Sequence, residues 1–324
     1  MIELHVKRLP STRELQRKAQ MTSDDRHISV CICTFRRPDF LRRLLNELEQ
    51  QKTEGLFSYS IVVVDNDAYS SARQVVQLFQ HVSSLDVTYC VEPEQNIALA
   101  RNRAVENARG NFIAFIDDDE FPDNKWLLNL YAACVGFESD GVFGPVKPHF
   151  KEGCPEWIVK GGLCERKSHL TGTIMEAGNT RTGNVLLKRE IFDDPGNRFD
   201  PLFGRTGGSD VWFFMKVMGQ GRTFVWCDEA IVYETILPER WKASFYIKRS
   251  LRKGGLNGEG VRKKAFAGRS LVLVSAVCFV YAMIMPIALF LGKHIFMKYL
   301  VKFAYHFAWL SGYFGHVFVR FRDD

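Results

Sequence analysis

Residues 112–124 read FIAFIDDDEFPDN. Five apolar residues run straight into three aspartates and a glutamate. A buried strand that stops in a block of negative charge needs a reason. Solvated carboxylates at a strand end cost little, but three in succession repel one another and favour a bound cation. Aspartate offers oxygen ligands, which suit Mg2+ or Mn2+. An ion held by one or two carboxylates keeps positions open for substrate phosphates. The block therefore points to a metal–diphosphate site, with Mn2+ or Mg2+ as the cofactor.

Working outward, the same design recurs. ISVCICT, 28–34, is a buried strand. YSIVVVDND, 59–67, is a second β-branched strand that also ends in acids. Between them RRPDFLRRLLNELEQQ places Phe40, Leu41, Leu44, Leu45 and Leu48 at helical spacing, with Pro38 in the first turn. SARQVVQLFQHV gathers Val75, Val76, Phe79 and Val82 on one helical face. VTYCVEP is a third strand, NIALARNRAVENA a helix closed by Gly110, KWLLNLYAACVG another helix and GVFGPV another strand. This alternation predicts a mostly parallel sheet with helices on both faces. Such sheets bind ligands at the carboxyl ends of their strands, where both acid blocks lie. Residues 151–183 read as a long loop.

The charge is split along the chain. The net formal charge is +6, yet from Arg240 onward fifteen Lys and Arg face only three acids. The body is acidic and the tail basic, so the tail suits an anionic partner: phosphate, lipid head groups or nucleic acid. Residues 271–291 carry no charge and are long enough to cross ~30 Å of hydrocarbon, with Pro286 expected to kink or break the helix. Residues 303–319 are aromatic-rich and read as an interfacial helix or half of a hairpin. Lys293, Lys298 and Lys302 argue against translocation, which favours a monotopic or re-entrant segment. GGLNGEG, 254–260, lacks a preceding strand and a following Lys-Ser/Thr, so it reads as a flexible turn and not a phosphate loop. The eight cysteines contain no CxxC pair, which argues against structural zinc; Cys31 and Cys33 face one side of a strand as core residues. The chain opens without an apolar stretch, and free thiols fit a reducing compartment.

The succession VCICTFRRPDFLRRLL, IVVVDND, NIALARNRAVENARGNFIAFIDDDE and GGSDVWFFMKVMGQG resembles the family 2 inverting glycosyltransferases. RRP, DNDA, NIALARN, FIDDDE, GPVKPHF, RTGN and GGSD are similar to bacterial glucosyltransferases of succinoglycan-type exopolysaccharide assembly. The resemblance implies an α/β GT-A nucleotide-diphospho-sugar transferase fold over 27–240, an N-terminal extension over 1–26, and a helical membrane-associated region over 241–324. It implies that Thr34, Arg36 and Pro38 wrap the nucleotide, that Asp65 lies beside the base, and that Asn66 or Asp67 contacts uracil. Arg101 falls in the ARN stretch near the nucleotide. Asp118 matches the ribose-side acid, Asp119 the metal ligand and Asp210 the catalytic base. Relatives carry a His after the last strand; here Tyr233 and Glu234 stand there, so either Glu234 joins the metal or Asp119 and the diphosphate hold it alone. Arg249, Arg252 and Lys253 face either the diphosphate or anionic lipid. Trp157, GGLCERK and Arg181 lie on the acceptor side.

The implied reaction moves a hexose, glucose by the subfamily resemblance, from a UDP-sugar to a lipid-linked saccharide or polysaccharide. The place is the cytoplasmic face of the inner membrane, and nucleic acid is not a partner. A sugar-phosphate nucleotidyltransferase would want a Gly-rich loop after the first strand, and TFRRPDF has no glycine. A non-catalytic membrane-bound module would leave the four ordered motifs unexplained.

Overall fold

A computed structural model describes residues 9–10, 14–15, 26–205, 207–262 and 268–318. The expected extension, 1–26, lies almost wholly outside the described residues. Strand β1 (His27–Thr34) is the hub of the main sheet. It pairs in parallel with β2 (Ser58–Asp65) on one side and β4 (Phe112–Phe115) on the other. β3 (Val87–Val91) extends the sheet in parallel beyond β2. The other half contains β6 (Gly141–Phe143), β8 (Val185–Lys188) and β9 (Phe224–Trp226), giving the order β3-β2-β1-β4-β8-β6-β9. β8 runs antiparallel to both β4 and β6. A smaller sheet orders β5 (Glu120–Pro122), β10 (Val232–Ile236) and β7 (Val146–Phe150) as β5-β10-β7.

Alternation along β1 sends Ile28, Val30 and Ile32 to one face and Cys31 to the other. The first face packs on α1 (Pro38–Glu49), α2 (Arg73–Val82) and α4 (Trp126–Gly136). Leu41, Leu44, Leu45 and Leu48 of α1 are fully buried. Each such side chain stabilises by about 1.5–3 kcal/mol. The second face packs on α3 (Ile97–Asn107) through Ala98, Ala100 and Ala104, and on α6 (Ser209–Gly219) through Phe213, Phe214 and Val217. Helices thus cover both faces, as the periodicity predicts. Val82 departs from that reading: it is 81 % exposed as the last residue of α2. Gly110 does not close α3, which ends at Asn107. It holds φ +79° beside β1, where a Cβ would lie 2.6 Å from His27.

The stretch 151–183 is more ordered than a loop. It contains α5 (Glu156–Gly161) and a 3-10 turn at Ala177–Asn179, and it leads into β8. GGLNGEG is also not a turn. It lies inside α7 (Ala243–Arg262), which packs along α9 (Lys293–Tyr313). A Cβ at Gly254 would meet the Tyr305 carbonyl at 2.1 Å, and one at Gly258 the Trp309 carbonyl at 2.0 Å. These glycines serve close approach of two helices and not chain flexibility. α8 (Gly268–Phe290) keeps Pro286 inside it without ending there. α9 begins at Lys293, well before the 303–319 segment read as its extent.

Two compact units result: Met1–Lys147 with Arg166–Glu234, and Pro148–Glu165 with Thr235–Asp324. The second unit thus groups Pro148–Glu165 with the C-terminal helices.

In the first unit, Asn184 ties the two halves of the main sheet. It is fully buried and holds φ +70°, a conformation asparagine tolerates better than most residues. Its Oδ1 accepts from Trp126 Nε1 at 2.7 Å, and its Nδ2 donates to the carbonyls of Pro145 at 2.9 Å and Ala230 at 2.8 Å. Replacing it by Ala strands three buried polar groups. We expect Asn184→Ala to lose about 3 kcal/mol or more in urea denaturation; a loss below about 0.5 kcal/mol would contradict the strut.

Candidate active site

The loop after β1 divides its two arginines between the two acid blocks. Arg36 adopts φ +54°, a left-handed conformation that costs roughly 1 kcal/mol for a side chain of this kind. It reaches back to Asp67, with Nε 3.3 Å from Oδ2 and Nη2 3.4 Å from Oδ1. Arg37 reaches forward. Its Nη1 lies 3.3 Å from Asp118 Oδ1 and 3.3 Å from Asp119 Oδ2. Thr34 Oγ1 donates to Asp118 Oδ2 at 2.8 Å. The end of β1 therefore gathers the ends of β2 and β4, as the parallel pairing requires.

At the end of β2 the three polar residues do different work. Asp65 is fully buried and accepts from the Asp67 and Ala72 N–H groups at 3.2 and 2.7 Å and from the Tyr89 hydroxyl at 2.9 Å. Asn66 spends both amide hydrogens on the Glu92 and Glu94 carbonyls, at 2.9 and 2.6 Å, and its Oδ1 accepts from the Asn96 N–H at 2.9 Å. Both are struts of the loop. Burial alone would raise the pKa of Asp67, but hydrogen bonds from Arg36 and the Tyr69 N–H outweigh it and hold the carboxyl below its ordinary value.

At the end of β4, Asp118, Asp119 and Glu120 are buried and Asp117 is exposed. Burial raises Asp118 despite Arg37 and Thr34. Asp119 is pushed up to about 7, first by burial and then by the charges of Asp117, Asp118 and Glu234. Glu120 is driven upward by burial and by Asp117. Gly183 leaves room for this crowd: a Cβ there would sit 2.8 Å from Asp117 Oδ2 and 2.9 Å from Glu120 Oε1. Because β8 is antiparallel, the residues that precede it, including Arg181, arrive at this same edge. Burial and then the neighbouring Arg166 pull Arg181 down to about 10, with Glu120, Asp210 and Glu234 acting in the opposite sense.

Glu234, paired across the strands with Glu120, is ion-paired to Arg166. The expectation that it serves as a metal ligand meets an oxygen already engaged. Asp210 lies in the first turn of α6, half-buried, with Oδ1 accepting from the Val211 N–H at 2.9 Å. Arg101 donates to Ser209 Oγ at 3.1 Å and its guanidinium lies 5.6 Å from the Phe199 ring centre. Its contacts therefore fix the start of α6. Arg37, Arg166 and Asn184 lie within the RRP, GGLCERK and RTGN stretches, but the sequence gives none of them a role of its own. For Arg37 the doublet before proline, facing two acid blocks, is a usable signal.

Among the described residues no group of three or more His, Cys, Asp or Glu forms a ready-made metal cluster. The donors still fit a hard divalent ion. They are carboxylate oxygens, and the charge of Asp119 is opposed by three acidic neighbours that a cation would neutralise. A ligand phosphate would have to complete the coordination.

A mostly parallel sheet with acid blocks and arginines at its strand ends is the frame of a GT-A nucleotide-sugar transferase. The chain belongs to glycosyltransferase family 2: the "Glycosyl transferase family 2" model matches residues 29–198. It is 33 % identical over 248 residues to the succinoglycan biosynthesis protein ExoM of Rhizobium meliloti (strain 1021), covering 76 % of this chain and 78 % of that one. Two solved structures share the fold. S. aureus TarS 1–349 in complex with UDP-GlcNAc matches at TM-score 0.53 with 19 % identity, over 90 % of this chain and 93 % of that one. Mannosyltransferase PcManGT from Pyrobaculum calidifontis, in complex with GDP-Man and Mn2+, matches at 0.58 with 15 % identity, over 94 % and 93 %. The protein is a glycosyltransferase related to polysaccharide synthases.

A carboxyl whose folded pKa lies above its unfolded value stabilises most at low pH, and that contribution is lost as pH rises through the folded pKa. For Asp119 the window runs from the ordinary value of 3.8 up to about 7. Metal-free Asp119→Asn should therefore melt above wild type at pH 7.5, with a smaller gain at pH 5, by calorimetry. Equal destabilisation at both pH values would contradict this.

Proposed function

We propose that this enzyme transfers glucose from UDP-glucose, with inversion, to a lipid-linked saccharide in exopolysaccharide assembly. The observation that carries the donor reading is the split of Arg36 and Arg37 between Asp67 and the Asp118–Asp119 pair. It sets a base-reading carboxylate beside a diphosphate-handling one. The TarS complex with UDP-GlcNAc supports a uridine nucleotide, and ExoM supports the exopolysaccharide setting.

Asp67 contacts the uracil, because Asn66 has no amide hydrogen left. Thr34 and Asp118 hold the ribose side. Asp119, with Glu234 beside it, would hold Mn2+ or Mg2+; PcManGT with Mn2+ supports such an ion. When bound, that cation supplies Lewis-acid charge to the departing diphosphate. Asp65 and Arg101 act as positioning residues, the first for the Asp67 loop and the second for the turn that carries Asp210. Asp210 accepts the proton of the acceptor hydroxyl as it attacks opposite the leaving group, which inverts the anomeric centre. Arg181 stands near Asp210 and orients anionic parts of either substrate. Asp210→Asn should bind UDP-glucose as wild type does and lose about 10²–10⁴ in transfer. Unchanged turnover would remove the base assignment.

The C-terminal unit supports membrane association. Among the described residues, Leu271–Phe290 alone is long and apolar enough to cross a bilayer, and only 11 % of it is buried. α9 turns back after Gly292, at φ +112°, and packs on α8, on the basic α7 and on α5. A helix tied in this way to a polar neighbour suits a position within the cytoplasmic leaflet better than a span. Arg249, Arg252 and Lys253 belong to α7 and would face anionic head groups. Phe279, Met283 and Ile287 are 67 %, 61 % and 63 % exposed along one face of α8. Replacing all three by Gln should abolish flotation with anionic vesicles while UDP binding stays intact; undiminished flotation would contradict the anchor.

A further inference from the structure

The β1 loop contains an internal cation where the reaction wants an external one. A single nitrogen, Arg37 Nη1, lies 3.3 Å from an oxygen of Asp118 and 3.3 Å from an oxygen of Asp119. The Arg37 side chain is 45 % exposed, whereas those of its two partners are 7 % and 9 % exposed. The acids are fixed by the fold, and the arginine is a long side chain with solvent to move into. Its backbone is less free. Arg37 is the N-cap of α1 and precedes Pro38, and Arg36 before it is held left-handed on Asp67.

We infer that Arg37 is a resident counter-cation that competes with the divalent ion for the acid block and is drawn off by the phosphates of the nucleotide. The inference rests on the metal reading above and adds an order to it. The guanidinium charge beside these oxygens repels a second cation, so an ion arriving alone must compete with the Arg37 pairs. A nucleoside diphosphate offers the guanidinium better-matched phosphate oxygens. It frees the carboxylates in the same step that presents its own ligands to the metal. Because Arg36 grips Asp67 from the adjacent residue, base binding and release of the block pass through one short loop. Metal and nucleotide then bind with positive coupling, and reciprocity requires that each tighten the other equally.

The test is Mn2+ titration of the full-length enzyme, read as loss of the free-ion signal in electron paramagnetic resonance, with and without UDP. Wild type should bind Mn2+ weakly alone and more tightly with UDP. Arg37→Ala should bind Mn2+ alone about tenfold tighter or more, with a reduced gain on adding UDP. Arg42→Ala, on the same helix but paired with Asp39 at 3.0 Å, should leave Mn2+ affinity at the wild-type value. Arg37→Lys keeps the charge without the planar fork and should shift affinity in the same direction by a smaller factor. It also provides the readout if Arg37→Ala folds poorly without metal. Mn2+ binding alone no tighter in either Arg37 variant overturns the inference by itself. Failure of wild type to bind Mn2+ even with UDP overturns the metal reading and the inference together.

Discussion

Everything at this site depends on carboxylates that the fold forces together and partly buries. Asp118, Asp119 and Glu120 follow one another where β4 stops, and Glu234 arrives opposite them from β10. Alone, these charges would repel and be driven to take up protons. Burial and like charge already hold Asp119 at about 7. The arginines of the site answer that repulsion. Arg37 bridges Asp118 and Asp119, Arg166 pairs with Glu234, and Arg181 lies within the field of Glu120, Asp210 and Glu234. A site balanced in this way would, on the proposed reading, take a further cation most readily together with a compensating anion such as a nucleotide diphosphate.

The scaffold explains why so much charge can converge. Parallel pairing of β1 with β2 and β4 brings three strand ends to one edge. The antiparallel β8 then delivers its preceding residues, from Arg181 to Asn184, to that edge as well. Gly183 supplies space, and Asn184 locks the crossing to Trp126, Pro145 and Ala230. The RTGN run thus combines a charged residue facing the site with a purely structural one.

The parallel half of this architecture is legible in the sequence because each buried strand is a β-branched run and each helix shows its apolar face at 3.6-residue spacing. The acid blocks are legible because polar residues at strand ends signal a site. The rest is hidden for physical reasons. β8 is four residues long, and nothing in VLLK distinguishes antiparallel from parallel pairing. Asn66 and Asp67 look equivalent until the hydrogen bonds show one amide fully spent. The glycines of α7 read as a turn because their cause, the backbone of α9, lies about 50 residues away in the chain. Arg37 resembles any helix-start arginine, and only distances reveal that it sits between two buried acids.

What occupies the space between Asp118 and Asp119 therefore decides how the site works. Anomalous diffraction from crystals grown with Mn2+ and UDP would locate it directly. We expect a manganese peak coordinated by Asp119 and the diphosphate, with the Arg37 guanidinium moved away from the carboxylates and onto phosphate oxygens. Manganese and UDP bound away from the end of β4, with Arg37 still bridging the two aspartates, would contradict it.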